Sequence, residues 1–124
     1  MSKKILIVDD DNLIRKSLGA ALQAKGYEIV EAANGQEGLD KALELVPDLV
    51  IADVRMPEMD GFTMIEKLRE DPKGQDLKVI ILSTDDQTTS VNQAMQAGVN
   101  VYLDKINFDP QSIADQVDGI LGGI

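Results

Sequence analysis

The residues best equipped for chemistry in this chain are the carboxylates Asp9, Asp10 and Asp53, a hydroxyl at Ser83 and an ammonium at Lys105. Asp53 stands in the stretch LVIADVRMPEMDG, Leu49 to Gly61, directly after four apolar residues that read as a strand buried on both faces. Pro57 sets a turn beyond it, and Gly61 offers a position free of Cβ before the next helical pattern. Asp9 and Asp10 follow the apolar run Ile5-Leu6-Ile7-Val8 in the same way. Open α/β sheets carry their chemistry at the carboxyl ends of core strands. Taken singly, each residue has a plainer job. Asp53 can cap a turn, Asp9 to Asp11 can face a helix N-terminus, Ser83 can serve a turn, and Lys105 can be an ordinary surface cation. Four strand ends carrying such groups together are harder to explain that way.

Two unit charges about 4 Å apart repel by about 4 kcal/mol at an effective dielectric of 20. Three carboxylates in one pocket therefore call for more cation than Lys105 supplies. With no His and no Cys in the chain, only oxygen ligands are on offer. Such a set selects a hard divalent ion, with Mg²⁺ the first choice. Mg²⁺ keeps several waters and takes one or two carboxylates alongside phosphate oxygens, so the pocket suits a phosphoryl group. Asp53 then reads as the nucleophile that forms an acyl phosphate. Lys105 and the metal neutralise the phosphoryl oxygens, and the Ser83 hydroxyl donates to one of them.

Positioning these groups requires a sheet whose strands all point one way. Ile5 to Val8, Tyr27 to Ala32, Leu49 to Ala52, Val79 to Leu82 and Val101 to Leu103 read as five strands. A first helix turns Leu13, Ile14, Leu18, Ala21 and Leu22 to one face and ends at Gly26. After an Asn34-Gly35 turn, a second presents Leu39, Ala42, Leu43 and Val46 inward and stops at Pro47. A third runs through Phe62, Ile65 and Leu68 to a break at Asp71-Pro72-Lys73-Gly74. The fourth, over 88–97, has few apolar anchors (Val91, Ala94, Met95) and should be the easiest to shift. Asp109 as N-cap and Pro110 at the first helical position open the last, through Ile113, Val117, Ile120 and Leu121. Alternation of this kind predicts a single α/β domain over 1–124, a doubly wound five-stranded parallel sheet with right-handed crossovers.

Composition narrows the function. Lys and Arg number 12 against 22 Asp and Glu, a net charge of -10, which argues against direct nucleic-acid binding. Four aromatics are too few for a base-stacking platform. The absence of Cys fits a reducing compartment, and the first apolar run is too short for a signal peptide or a membrane span. The expected setting is the cytoplasm, without membrane insertion.

The motifs ILIVDDD from Ile5, DVRMPEMDG from Asp53, ILST from Ile81, the Ala97-Gly98 pair and YLDK from Tyr102 resemble those of bacterial response-regulator receiver domains in order and spacing. The resemblance runs over roughly residues 3 to 121 and has a chemotaxis-regulator flavour. It implies a flavodoxin-like (βα)5 fold with strand order 2-1-3-4-5 and phosphorylation of Asp53 by a sensor histidine kinase or histidine phosphotransfer protein. By matching position it implies Mg²⁺ held by Asp10, Asp53 and the backbone carbonyl of Arg55, with Asp9 on a metal-bound water. Ser83 and Tyr102 match the family's switch pair. The chain would then be a phospho-acceptor rather than an enzyme, read by a downstream protein or effector domain, with a homodimer also open. One departure stands out: the family usually has a cis-bonded Pro after the Lys, and here Ile106 follows Lys105. A cis non-proline bond costs about 3 kcal/mol, so a trans peptide and a differently shaped loop are expected.

In this reading Ser83 closes on the phosphoryl group, Tyr102 turns from exposed to buried, and the weakly anchored helix shifts. Arg55 and Asp85 each lie two residues beyond a site residue, where their pairing would tune phosphate lifetime. Two rivals differ in class. An aspartyl-phosphate phosphohydrolase of the haloacid-dehalogenase type needs a second acid two residues after the nucleophile, where Arg55 stands. A flavodoxin-like cofactor binder needs a phosphate-cradling loop where Asp9, Asp10 and Asp11 would repel phosphate.

Overall fold

The short apolar runs become strands β1 (Lys4–Val8), β2 (Glu28–Ala32), β3 (Leu49–Ala52), β4 (Lys78–Ser83) and β5 (Val101–Asp104). Helices α1 (Asn12–Ala24), α2 (Gly35–Leu45), α3 (Gly61–Glu70) and α4 (Pro110–Leu121) connect or follow them. The structure, a computed structural model, describes residues 3–83, 92–93, 95–105 and 108–122. Within the span expected to form a helix over 88–97, residues 92–93 and 95–96 are helical and Met95 is exposed. Val91 and Ala94 lie outside the described residues.

All strands pair in parallel in the order β2-β1-β3-β4-β5, as the family resemblance implies. Side chains alternate across the sheet, so each central strand feeds two cores. Ile5, Ile7, Leu49, Ile51, Ile80 and Leu82 pack with Leu18, Leu22, Ile113 and Val117 of α1 and α4. Leu6, Val8, Val50, Ala52, Val79 and Ile81 pack on the other face with Leu39, Ala42, Ile65 and Leu68 of α2 and α3.

Two residues assigned to inner helix faces lie elsewhere. Leu13 is 73% exposed. At 3.6 residues per turn it stands about 140° around α1 from Leu18 and about 180° from Leu22. Val46 is exposed because it is the C-cap of α2, in the left-handed region at φ 45. Pro47 disfavours the helical conformation for the residue before it, so the last expected anchor leaves the helix and turns outward.

Helix starts also divide the acids by task. The Asp11 carboxylate accepts from the N–H groups of Leu13 at 2.9 Å and Ile14 at 3.3 Å, capping α1. Asn34 is likewise the N-cap of α2 rather than part of a free turn, and Asp60 caps α3. Asp109 and Pro110 open α4 as the sequence predicts. Of the first acidic run, then, Asp9 and Asp10 remain for the site.

Candidate functional site

Register brings the site together. Val8 of β1 pairs with Ala52 of β3, so the next residues, Asp9 and Asp53, leave neighbouring strands at one level. The Asp53 N–H donates to the Val8 carbonyl at 3.0 Å, and the Asp9 N–H to the Ala32 carbonyl at 3.1 Å. Ser83 pairs with Asp104 across β4 and β5, and the N–H of the following Lys105 donates to the Ser83 carbonyl at 2.8 Å. Asp9, Asp53 and Ser83 are buried, a rare state for carboxylates unless they are paired.

Lys105 is the partner. Its Nζ lies 2.7 Å from Asp9 Oδ2 and 3.0 Å from Asp53 Oδ2, with 10% of its side chain exposed. The other oxygens are also engaged: Asp9 Oδ1 accepts from the Asp11 N–H at 2.9 Å, and Asp53 Oδ1 from the Val54 N–H at 2.7 Å. Asp10, exposed on the rim, completes a trio with Asp9 and Asp53 in which one oxygen from each lies within 4.8 Å of the others. Three carboxylates beside one ammonium leave an anionic pocket with the ligand atoms to hold a metal ion. Oxygen donors alone, in an uneven mix of buried and exposed groups, fit a hard divalent cation that keeps part of its water.

Burial lifts the Asp9 carboxyl above its ordinary range, against the lowering effect of hydrogen bonds from Lys105 and the Asp11 N–H; the Asp53 charge pushes it higher still. Burial alone would depress the Lys105 ammonium, but its hydrogen bonds to Asp9 and Asp53 and their charges outweigh this and raise it. A raised acid stabilises the fold fully only below its unfolded value of 3.8 and loses that contribution as pH rises through its folded value. Ionised Asp9 therefore costs stability at neutral pH. Metal-free Asp9→Asn should be more stable than the parent at pH 7, by on the order of 1 kcal/mol, chiefly because no charge at this position then has to be stripped of water. Urea unfolding across pH would check this, with the difference vanishing below pH 3.8.

Arg55 is exposed in the loop between β3 and α3. Asp85, its suggested partner, lies outside the described residues, as does Ile106, so the bond after Lys105 is not described. Tyr102 is half-buried on β5, level with Ile81 of β4, and packs against the α2/α3 core.

What Gly61 makes room for, and the role of Arg15, escaped the sequence reading. Gly61 is needed for a close approach: a Cβ there would stand 2.2 Å from the Asp53 carbonyl oxygen, while its N–H donates to the Val54 carbonyl at 2.7 Å. Arg15 reaches back from α1 to donate from Nη1 to the Asp9 carbonyl at 2.6 Å. The available signal was spacing, since Arg15 lies one helical turn past the Asp11 cap and so beneath the first strand's end. Among the described residues, no helix is long and apolar enough to cross a membrane.

A family model of the response regulator receiver domain matches residues 5–118. Chemotaxis protein CheY1 of Helicobacter pylori is 34% identical over 122 residues, covering 96% of this chain and 97% of its own. The DNA-binding dual master transcriptional regulator RpaA of Synechocystis is 34% identical over 118 residues, but this chain spans only 48% of its length. Among solved structures, a CheY-like receiver domain protein from Methanospirillum hungatei superimposes with a TM-score of 0.90 at 29% identity, covering 98% of this chain and 95% of that one. Nothing in these matches supports a phosphohydrolase. The extent of the family match and the relatives at both full and partial length agree on one assignment: the chain belongs to the response regulator receiver domains, the signalling modules of two-component systems.

Proposed function

We propose that Asp53 is the phospho-acceptor, that Mg²⁺ is the resident ion, and that residues 1–124 act as one receiver domain in the cytoplasm. The phosphoryl donor is a sensor histidine kinase or a histidine phosphotransfer protein, and the reader is a downstream protein or effector domain. One observation carries this reading: a buried carboxylate at the end of β3 is held by the ammonium of half-buried Lys105 beside an acidic trio.

In the transfer, an Asp53 carboxylate oxygen attacks the phosphohistidine phosphorus, a P–O bond forms and the donor's P–N bond breaks, and the released imidazole nitrogen takes a proton from water. The carboxylate charge becomes part of an acyl phosphate, whose phosphoryl oxygens carry the new negative charge. Lys105, already 3.0 Å from Asp53 Oδ2, is the cation nearest the acceptor oxygen and turns to those oxygens. Ser83, buried at the end of β4 and tied through its carbonyl to Lys105, supplies a neutral hydroxyl donor. Asp10, Asp53 and the Arg55 carbonyl would hold Mg²⁺, with Asp9 on one of its waters, and the bound ion would offset the carboxylates and the phosphoryl charge. Tyr102, half-buried beside the β4 end, is suited to follow Ser83 inward, and Arg55 at the loop surface to tune access of water together with Asp85.

Incubation with phosphoramidate and Mg²⁺, followed by intact-mass measurement, should add one phosphate to the chain. Chelation of the metal should suppress the addition. An unmodified mass under full Mg²⁺ would overturn the reading.

A further inference from the structure

A largely buried arginine contact at the rim lies on a side of the pocket that none of the roles above uses. The Arg15 side chain is 13% exposed. Its Nε donates to Glu31 Oε1 at 3.1 Å, its Nη2 to Asn12 Oδ1 at 2.9 Å and its Nη1 to the Asp9 carbonyl at 2.6 Å. Glu31 is fixed in turn: Lys16 Nζ lies 2.9 Å from its Oε2, and Lys41 Nζ donates to its backbone carbonyl at 2.5 Å. The guanidinium thus spans β2, the start of α1 and the end of β1 in one rigid fork.

The carbonyl that Arg15 holds belongs to the peptide linking Asp9 to Asp10. With the Asp9 N–H fixed on Ala32 and its carboxylate fixed by Lys105 and the Asp11 N–H, the remaining freedom at this corner is rotation of that peptide plane. Turning it about the Asp9 Cα–C bond would swing the Cα of Asp10 and carry the exposed Asp10 carboxylate out of the trio. Asp10 has no buried surroundings of its own to hold it there. We infer that Arg15, anchored on Glu31, is a positioning residue that sets the Asp9–Asp10 peptide and thereby the affinity of the acidic trio for a divalent cation. This rests on the reading of that trio as the Mg²⁺ site. Groups that orient a metal ligand from behind typically change affinity by about 10- to 100-fold when removed.

The test is Mg²⁺ titration of unphosphorylated protein, followed by NMR shifts of the Asp10 and Asp53 amides, in the parent, Arg15→Lys and Glu31→Gln. Lysine keeps the charge and stem but offers a point donor in place of the three-way fork. Arg15→Lys should weaken Mg²⁺ binding about tenfold, and Glu31→Gln should weaken it less, with phosphorylation at saturating Mg²⁺ near the parent rate in both. Parent-like Mg²⁺ affinity in Arg15→Lys would overturn the inference, as would lowered thermal stability with unchanged affinity in both variants. Failure of the parent itself to bind Mg²⁺ would instead overturn the metal-site reading beneath it.

Discussion

Asp53→Asn should accept no phosphate from phosphoramidate and Mg²⁺ under conditions in which the parent is modified. The substitution preserves shape and keeps a side-chain oxygen able to accept from Val54, so the loop should hold. It removes the anionic oxygen that must form the bond to phosphorus. It also takes one charge from the crowded trio, so the variant should be at least as stable as the parent without metal. Loss of labelling would then reflect lost chemistry rather than lost fold. Intact mass and urea unfolding on the same preparation separate the two. Labelling at the parent's rate would move the acceptor to another residue.

The second large effect is expected at Lys105. Lys105→Met keeps the stem and deletes the ammonium, leaving Asp9 and Asp53 buried without their shared partner. Breaking a buried ion pair from one side costs about 3 kcal/mol. The metal-free variant should lose about that much stability at neutral pH, and added Mg²⁺ should restore part of it by mass action. The pH dependence follows from the shifts. Because the Lys105 value is raised, its contribution is full below 10.5 and is lost as pH rises through its folded value. Toward acid, Asp9 takes up a proton and one of the two orphaned charges disappears, so the deficit should shrink. Phosphorylation should fall by about 10²-fold, the usual effect of removing a donor to developing oxyanion charge. A variant as stable and as reactive as the parent would remove Lys105 from the mechanism.

The central strands β1, β3 and β4 and their rim were legible because each is a short apolar run cut off by a polar group, a pattern that parallel sheets impose. Asp9 and Asp53 could be placed side by side from topology alone, and the register of Val8 with Ala52 makes it so. Helix faces were harder to read where caps intervene. Leu13 and Val46 are apolar at plausible spacings, yet the first turn of α1 and the left-handed end of α2 rotate them out. Asp11 looks like a third member of the acidic set and is spent on a helix start. Arg15 was legible through its spacing alone, because it acts through a main-chain carbonyl, which leaves no trace in side-chain type.

The closed base of the loop after β3 has a bearing on how freely this part of the chain can vary. Gly61 presses on the Asp53 backbone and ties back to Val54, while in the loop's outer turn, with Glu58 at φ 69 and the Met59 N–H on the Pro57 carbonyl at 2.7 Å, Pro57 and Glu58 are exposed and Met56 and Met59 pack back on the core. Exchange of the exposed Pro57 and Glu58 side chains should cost little, whereas Met56 and Met59 are tied to the core. Position 61 has no such latitude, since any side chain would have to displace the strand end that carries the acceptor.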